Sequence, residues 1–228
     1  MKMKKKVLVG LVCALALCLS FVLVGCGGEN KDPEPIQVTD SGWYSPEPNK
    51  YSNSSFLHYG VSIYNPNDNY AGDYATVTIT GKDENGKILF SDKQVMGVIN
   101  PHETITFGMQ AGNGTKPATV EFDAYVKDSD WNKVNKDKIV IPSYEIVETN
   151  DVKDSFGDVD FTGRLKVDDS WGNKESAFVS VLLKNESGET IAGYNSFVNV
   201  VKGDYVPFDI HAYGIPEYSS FEIYAYPW

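Results

Sequence analysis

The residue whose type and surroundings promise chemistry is Cys26, with small Gly25 before it and Leu23 three positions ahead. Its thiolate is a strong nucleophile toward an electrophilic lipid donor, which a serine at the same place would not be. The other candidate groups are weaker. His58, His102 and His211 fall in different segments with no HExxH spacing, so packed or surface imidazoles are expected rather than metal ligands. Asp151, Asp154, Asp158 and Asp160, followed by Asp168 and Asp169, offer hard oxygens of the kind that hold calcium. They lack EF-hand spacing, and solvated loop carboxylates are the expectation. No nucleophile elbow, Walker loop or dinucleotide fingerprint occurs in the sequence. No catalytic residue, metal or cofactor is therefore assigned, and the chain is not expected to be an enzyme.

The elements around Cys26 explain what would use its thiol. Lys2, Lys4, Lys5 and Lys6 precede an apolar stretch from Val7 to Val24, the pattern of a secretory signal. A membrane-spanning helix needs about 20 apolar residues, and this stretch is nearly long enough, but the cysteine decides against that reading. Leu23 to Cys26 resembles the lipobox of bacterial lipoproteins. That resemblance implies a diacylglyceryl group on the Cys26 thiol, cleavage between Gly25 and Cys26, and a chain held by lipid at the extracytoplasmic face of a cell membrane. Two or three acyl chains exceed the marginal hold of a single one. The remaining cysteines, Cys13 and Cys18, lie in the removed segment, so no disulfide is expected in the mature protein.

Processing sharpens the charge. Four of the 20 basic residues precede Cys26 and all 31 acidic ones follow it, leaving 16 against 31 and a net charge of −15. Such a surface argues against nucleic acid, whose binding rests on basic phosphate contacts, and against lying flat on anionic lipid. Gly27 to Pro35 is polar and ends in prolines, so residues 26–35 read as a lipidated tether.

From Ile36 onward, short alternating runs separated by Gly, Asn, Asp and Pro give an all-β signature. Ala75, Val77 and Ile79 alternate with threonines before a turn at Asn85 and Gly86, which predicts a hairpin with one buried and one wet face. A shift of 102 residues brings Ala75, Val77, Ile79 and Gly86 onto Ala177, Val179, Val181 and Gly188. A shift of 101 then aligns Ile105, Phe107 and Met109 with Val206, Phe208 and Ile210. The one-residue slip must fall in a loop between Gly188 and Val206, because inside a strand it would turn every side chain to the wrong face. Two tandem antiparallel β-sandwich domains are expected, over 36–136 and 142–228. The last alternating run, Phe221 to Tyr226, belongs to the second core. Trp131 is expected to pack at the junction. The many tyrosines, dense at Tyr44, Tyr51, Tyr59, Tyr64, Tyr70 and Tyr74, are expected to cover the sandwich rather than bind a ligand.

In the second repeat, Thr162 to Val167, Ala177 to Leu183, the Asn185 to Gly188 turn and Val206 to Phe208 together resemble the FxLYD-type domain of bacterial envelope proteins. Val181 to Asn185 stands where Phe-x-Leu-Tyr-Asp would, so only the leucine is literal. In the first repeat Ile79 to Asp83 keeps only the aspartate, while Gly60 to Asn65 and Asn100-Pro101 resemble the flanks. The resemblance implies immunoglobulin-like sandwiches and no enzymatic activity. It suggests a surface lipoprotein acting as an interaction or spacer module toward an envelope protein or polysaccharide. The alternative is an accessory lipoprotein that binds a carbohydrate, peptide or metal ion, which a cleft between the domains lined by Trp43, Trp131 or Trp171 would favour.

Overall fold

The alternating runs become strands throughout the computed structural model, which describes residues 32–48 and 54–228. Gly25, Cys26, the apolar segment, the tether up to residue 31, and Tyr51 lie outside the described residues. The first repeat contains β1 (Gln37–Tyr44), β2 (Leu57–Tyr64), β3 (Tyr70–Gly72), β4 (Thr76–Lys82), β5 (Ile88–Val95), β6 (Thr104–Ala111), β7 (Thr119–Tyr125) and β8 (Trp131–Lys133). The second contains β9 (Tyr144–Lys153), β10 (Val159–Val167), β11 (Ser176–Lys184), β12 (Thr190–Asn199), β13 (Tyr205–Ala212) and β14 (Ser220–Pro227). Helical structure among the described residues is confined to single 3-10 turns, so the fold is all-β.

Each repeat is a pair of three-stranded antiparallel sheets, and the strand orders correspond. β1-β2-β6 packs on β5-β4-β7, as β9-β10-β13 packs on β12-β11-β14. Registers match as well: Tyr59 lies opposite Met109 in the first repeat, and Phe161 opposite Ile210 in the second. The one-residue slip falls between β12 and β13, since Phe197 still pairs with Phe178 as Val95 does with Thr76. Leu57, Tyr59, Val61 and Ile63 of β2 meet Val77 and Ile79 of β4 in the first core. Val159, Phe161 and Leu165 meet Val179 and Val181 in the second. Trp131 packs against the first core through the small β3-β8 ribbon.

Three hairpins share one turn chemistry. The side chains of Asp83, Asp154 and Asn185 each accept from the backbone N–H groups two and four residues on. Gly86, Gly157 and Gly188 close these turns at positive φ, where a side chain would be strained. The end of the expected tether is fastened: Glu34 N–H donates to Asn67 Oδ1 and Asn67 Nδ2 donates to the Glu34 carbonyl, both at 2.7 Å.

Residues Pro33–Trp228 form one compact unit, because the repeats stack sheet on sheet. The outer face of β1-β2-β6 lies on the outer face of β12-β11-β14, giving four layers of strands. Facing sheets usually stand about 10 Å apart, but glycines bring these closer. A Cβ on Gly193 would sit 2.5 Å from the Tyr59 carbonyl oxygen and 2.7 Å from Gly108 Cα, and one on Gly60 would meet Leu182 Cγ at 2.7 Å. Phe178 reaches across into the first core, and the His58 ring stacks on Tyr194 at 4.5 Å. Lys184 Nζ lies 2.9 Å from Asp40 Oδ2 in a part-buried pair between the repeats. Consequently β2 and β11 are buried on both faces, and the wet face expected of a sandwich strand is missing from them.

Candidate ligand cleft between the repeats

Beside the glycine crossing the stacked sheets diverge and leave a cleft of 540 Å³, within the range of small-ligand sites. One wall is the outer face of β1-β2-β6, with Thr39, Asp40, Ser62 and Thr106. The other is built by Tyr224 and Tyr226 of β14, with Ile141, Pro142 and Tyr144 at the start of the second repeat. Alternation along β14 explains the tyrosines. Phe221, Ile223 and Ala225 turn toward the second core, so Tyr224 and Tyr226 must face outward.

Glu103 and His102 close one end of the cleft, on the turn between β5 and β6. The Glu103 carboxylate accepts from Asn100 N at 2.7 Å and from Asn100 Nδ2 at 2.8 Å, and the side chain is buried. Burial pushes its carboxyl above the usual range, against the Asn100 hydrogen bonds. His102, held at positive φ, lies between the Tyr64 hydroxyl at 3.1 Å and Asp68 at 3.0 Å. Tyr226 donates to the Val98 carbonyl at 2.9 Å, and Tyr224 donates to Glu222 at 2.8 Å. Burial raises both phenols, with the Glu103 charge adding to the effect at Tyr226 and the Glu222 hydrogen bond at Tyr224. Asp40 is engaged by Lys184 and by the Thr190 hydroxyl.

The groups singled out from sequence are dispersed. His58 is partly buried between the repeats, and desolvation lowers it to about 4. His211 pairs with Asp160 on the outer face of the second repeat, and that hydrogen bond raises it. The aspartates are spent locally. Asp154 caps its turn, Asp158 accepts from Gly214 N at 3.1 Å, and Asp151 accepts from the Tyr218 hydroxyl. Asp168 accepts from Ser143 and Ser170, which lowers its carboxyl. Among the described residues no three His, Cys, Asp or Glu side chains converge to hold a metal ion. None of Trp43, Trp131 and Trp171 lines the cleft. Trp171 is buried in the second core with its Nε1 donating to the Ser143 carbonyl at 2.7 Å.

Glu103, Tyr144, Tyr224 and Tyr226 escaped the sequence reading. A usable signal was present: two tyrosines occupy outward positions of a strand whose counterpart in the first repeat, β7, carries Asp123 and Tyr125 there. Compared with models of known protein families and with curated proteins, the chain matches none. No helix among the described residues is long and apolar enough to cross a membrane.

Proposed function

We propose that this chain is a lipid-anchored lipoprotein of the bacterial envelope, a non-enzymatic interaction module whose recognition site is the cleft between its two repeats. The observation that carries the reading is the glycine-mediated stacking of the repeats. Backbones packed this closely at Gly193 and Gly108 hold the two walls of the cleft against each other. Preorganisation of this kind lowers the entropy cost of binding. Support for the anchor comes from the basic start, the apolar stretch and the Leu23 to Cys26 tetrapeptide.

Two measurements test the two halves of the reading. Cells grown with radioactive palmitate should label the wild-type protein and leave Cys26→Ser unlabelled as a longer precursor; equal labelling would remove the anchor. The compact unit Pro33–Trp228, immobilised, should retain one envelope fraction saturably, and the double variant Tyr144→Ala/Tyr224→Ala should release it at an unchanged melting temperature. Retention indifferent to those tyrosines would move the site elsewhere.

A further inference from the structure

The cleft's chemistry points to the class of ligand it takes. Its lining contains two carboxylates, Asp40 and Glu103, three tyrosines, and no lysine or arginine. Lys184, which reaches the lining residue Asp40, is committed to it at 2.9 Å and lies 3.5 Å from Glu222. His102 is occupied by Asp68 and Tyr64. Among the described residues that line the cleft, an anionic ligand would therefore find carboxylates and no lysine or arginine. A positively charged group would find Glu103, 8% exposed at one end, and phenol rings along the side. Ring faces attract ammonium groups most strongly where water is excluded. A cation seated beside Glu103 also offsets, through its charge, the desolvation that disfavours the ionised carboxylate.

We propose that the cleft between the repeats binds an organic ammonium group, held by the Glu103 carboxylate and the tyrosine rings that line the cleft. The source is either a free small amine or a lysine-like side chain on a peptide, and the two share this chemistry. The proposal rests on the cleft being the recognition site.

The experiment is calorimetric titration of Pro33–Trp228 with choline, with its neutral isostere 3,3-dimethylbutanol, with a tri-lysine peptide and with a neutral oligosaccharide. Choline or tri-lysine should bind, and the isostere should bind at least about tenfold more weakly. Choline binding identifies a small free amine, and tri-lysine binding alone a peptide side chain. Glu103→Gln keeps the Asn100 hydrogen bonds within reach and should lower affinity about tenfold. Tyr144→Ala should lower it about threefold. Glu121→Gln, on the opposite outer sheet, is the control and should change nothing. Melting curves of each variant check that the fold survives. Equal binding of the isostere, or full affinity in a folded Glu103→Gln protein, overturns the ammonium assignment. Binding of the oligosaccharide alone, lost in Tyr144→Ala, overturns the assignment while leaving the recognition site standing. Heat from none of the probes, with an envelope fraction still retained through the tyrosines, also overturns the assignment. Absence of retention as well overturns both.

Discussion

The two repeats carry the same sandwich with opposite outer faces. On β4 the outward residues are Thr76, Thr78 and Thr80, and their counterparts on β11 are Phe178, Ser180 and Leu182. On the other sheet, Gly60 and Gly108 of the first repeat correspond to Thr162 and Asp209 of the second. The faces that meet carry Gly60 and Gly108 on one side, and Gly193 with aliphatic and aromatic side chains on the other. The faces left at the two ends of the stack are hydroxyl-bearing and charged. Change confined to outward positions thus leaves both cores intact while converting two similar sandwiches into one body with polar ends, the arrangement that keeps a stacked repeat soluble.

The most damaging way to break this asymmetry is to truncate the buried outer face. Leu182→Ala is expected to cost about 2–5 kcal/mol, as large-to-small changes in packed cores do. Thr80→Ala, at the equivalent half-buried place, should stay within about 0.5 kcal/mol. Urea melts of the two variants test the pair directly. Equal small effects would mean that the stack does not persist in solution.

Histidine chemistry offers the next largest contrast, because His58 and Asp160 occupy equivalent positions, opposite Gln110 and His211 respectively. Burial depresses His58 to about 4, so between pH 6.5 and 4 the unfolded chain binds more protons than the folded one. Stability from this group is therefore present above pH 6.5 and falls as the medium is acidified, by up to about 3 kcal/mol. His211 behaves oppositely. Its pKa is raised by Asp160, so its contribution is present below pH 6.5 and is lost as pH rises through the elevated value. Denaturation midpoints at pH 7 and 4.5 should converge in His58→Gln relative to wild type, while His211→Gln should spread them slightly. An unchanged pH slope in His58→Gln would mean that the imidazole is wet and the interface open.

Much of this was legible in the residues. Matched alternation at Ala75 and Ala177, and the turn glycines Gly86 and Gly188, carried the repeat and its register. β9 gives little signal in the sequence, because its residues are mostly exposed and polar, Tyr144 to Lys153, with no apolar alternation to announce it. The hairpin turn at Asp154 to Gly157 read as an acidic loop for the same reason. Stacking was hidden more deeply. Phe178 and Leu182 broke the alternation of β11, yet a doubly buried strand has the same run of apolar residues as a buried strand of any single sheet. Its partner surface was written in glycines, which give no hydrophobic signal. The cleft follows from the stack, so its tyrosines and Glu103 could not be assembled before the stack was known.

A milder perturbation sharpens the glycine crossing. Gly193→Ala puts a methyl 2.5 Å from the Tyr59 carbonyl oxygen, and the repeats must shift apart at a cost of about 1–3 kcal/mol. Ser91→Ala stands at the equivalent position on an exposed strand and should be nearly neutral. Amide hydrogen exchange checks where the damage falls. Protection should drop along β2, β6 and β12, which line the crossing, and hold along β4 and β10. Uniform loss across both repeats would instead indicate that the body unfolds as one unit.

The smallest expected effect concerns a hydroxyl. Tyr194 is buried against His58, and its phenol oxygen has no hydrogen-bond partner among the described residues, as is also true of the Ser180 hydroxyl. Desolvation raises that phenol well above its ordinary value, so it stays neutral at any working pH. Its counterpart in the first repeat is Asp92, whose carboxylate accepts from Gly112 N at 2.7 Å. A buried donor without a partner carries a desolvation cost of about 1–3 kcal/mol, whereas a satisfied group returns a net stabilisation of similar size. Tyr194→Phe keeps the ring stacked on His58 while deleting the cost, and should leave the melting temperature unchanged or raise it by a few degrees. Asp92→Ala deletes a satisfied acceptor and should lower it. A fall in both variants would mean that the Tyr194 hydroxyl is bridged to the protein by a bound water, which would make the junction between the repeats wetter than its packing suggests.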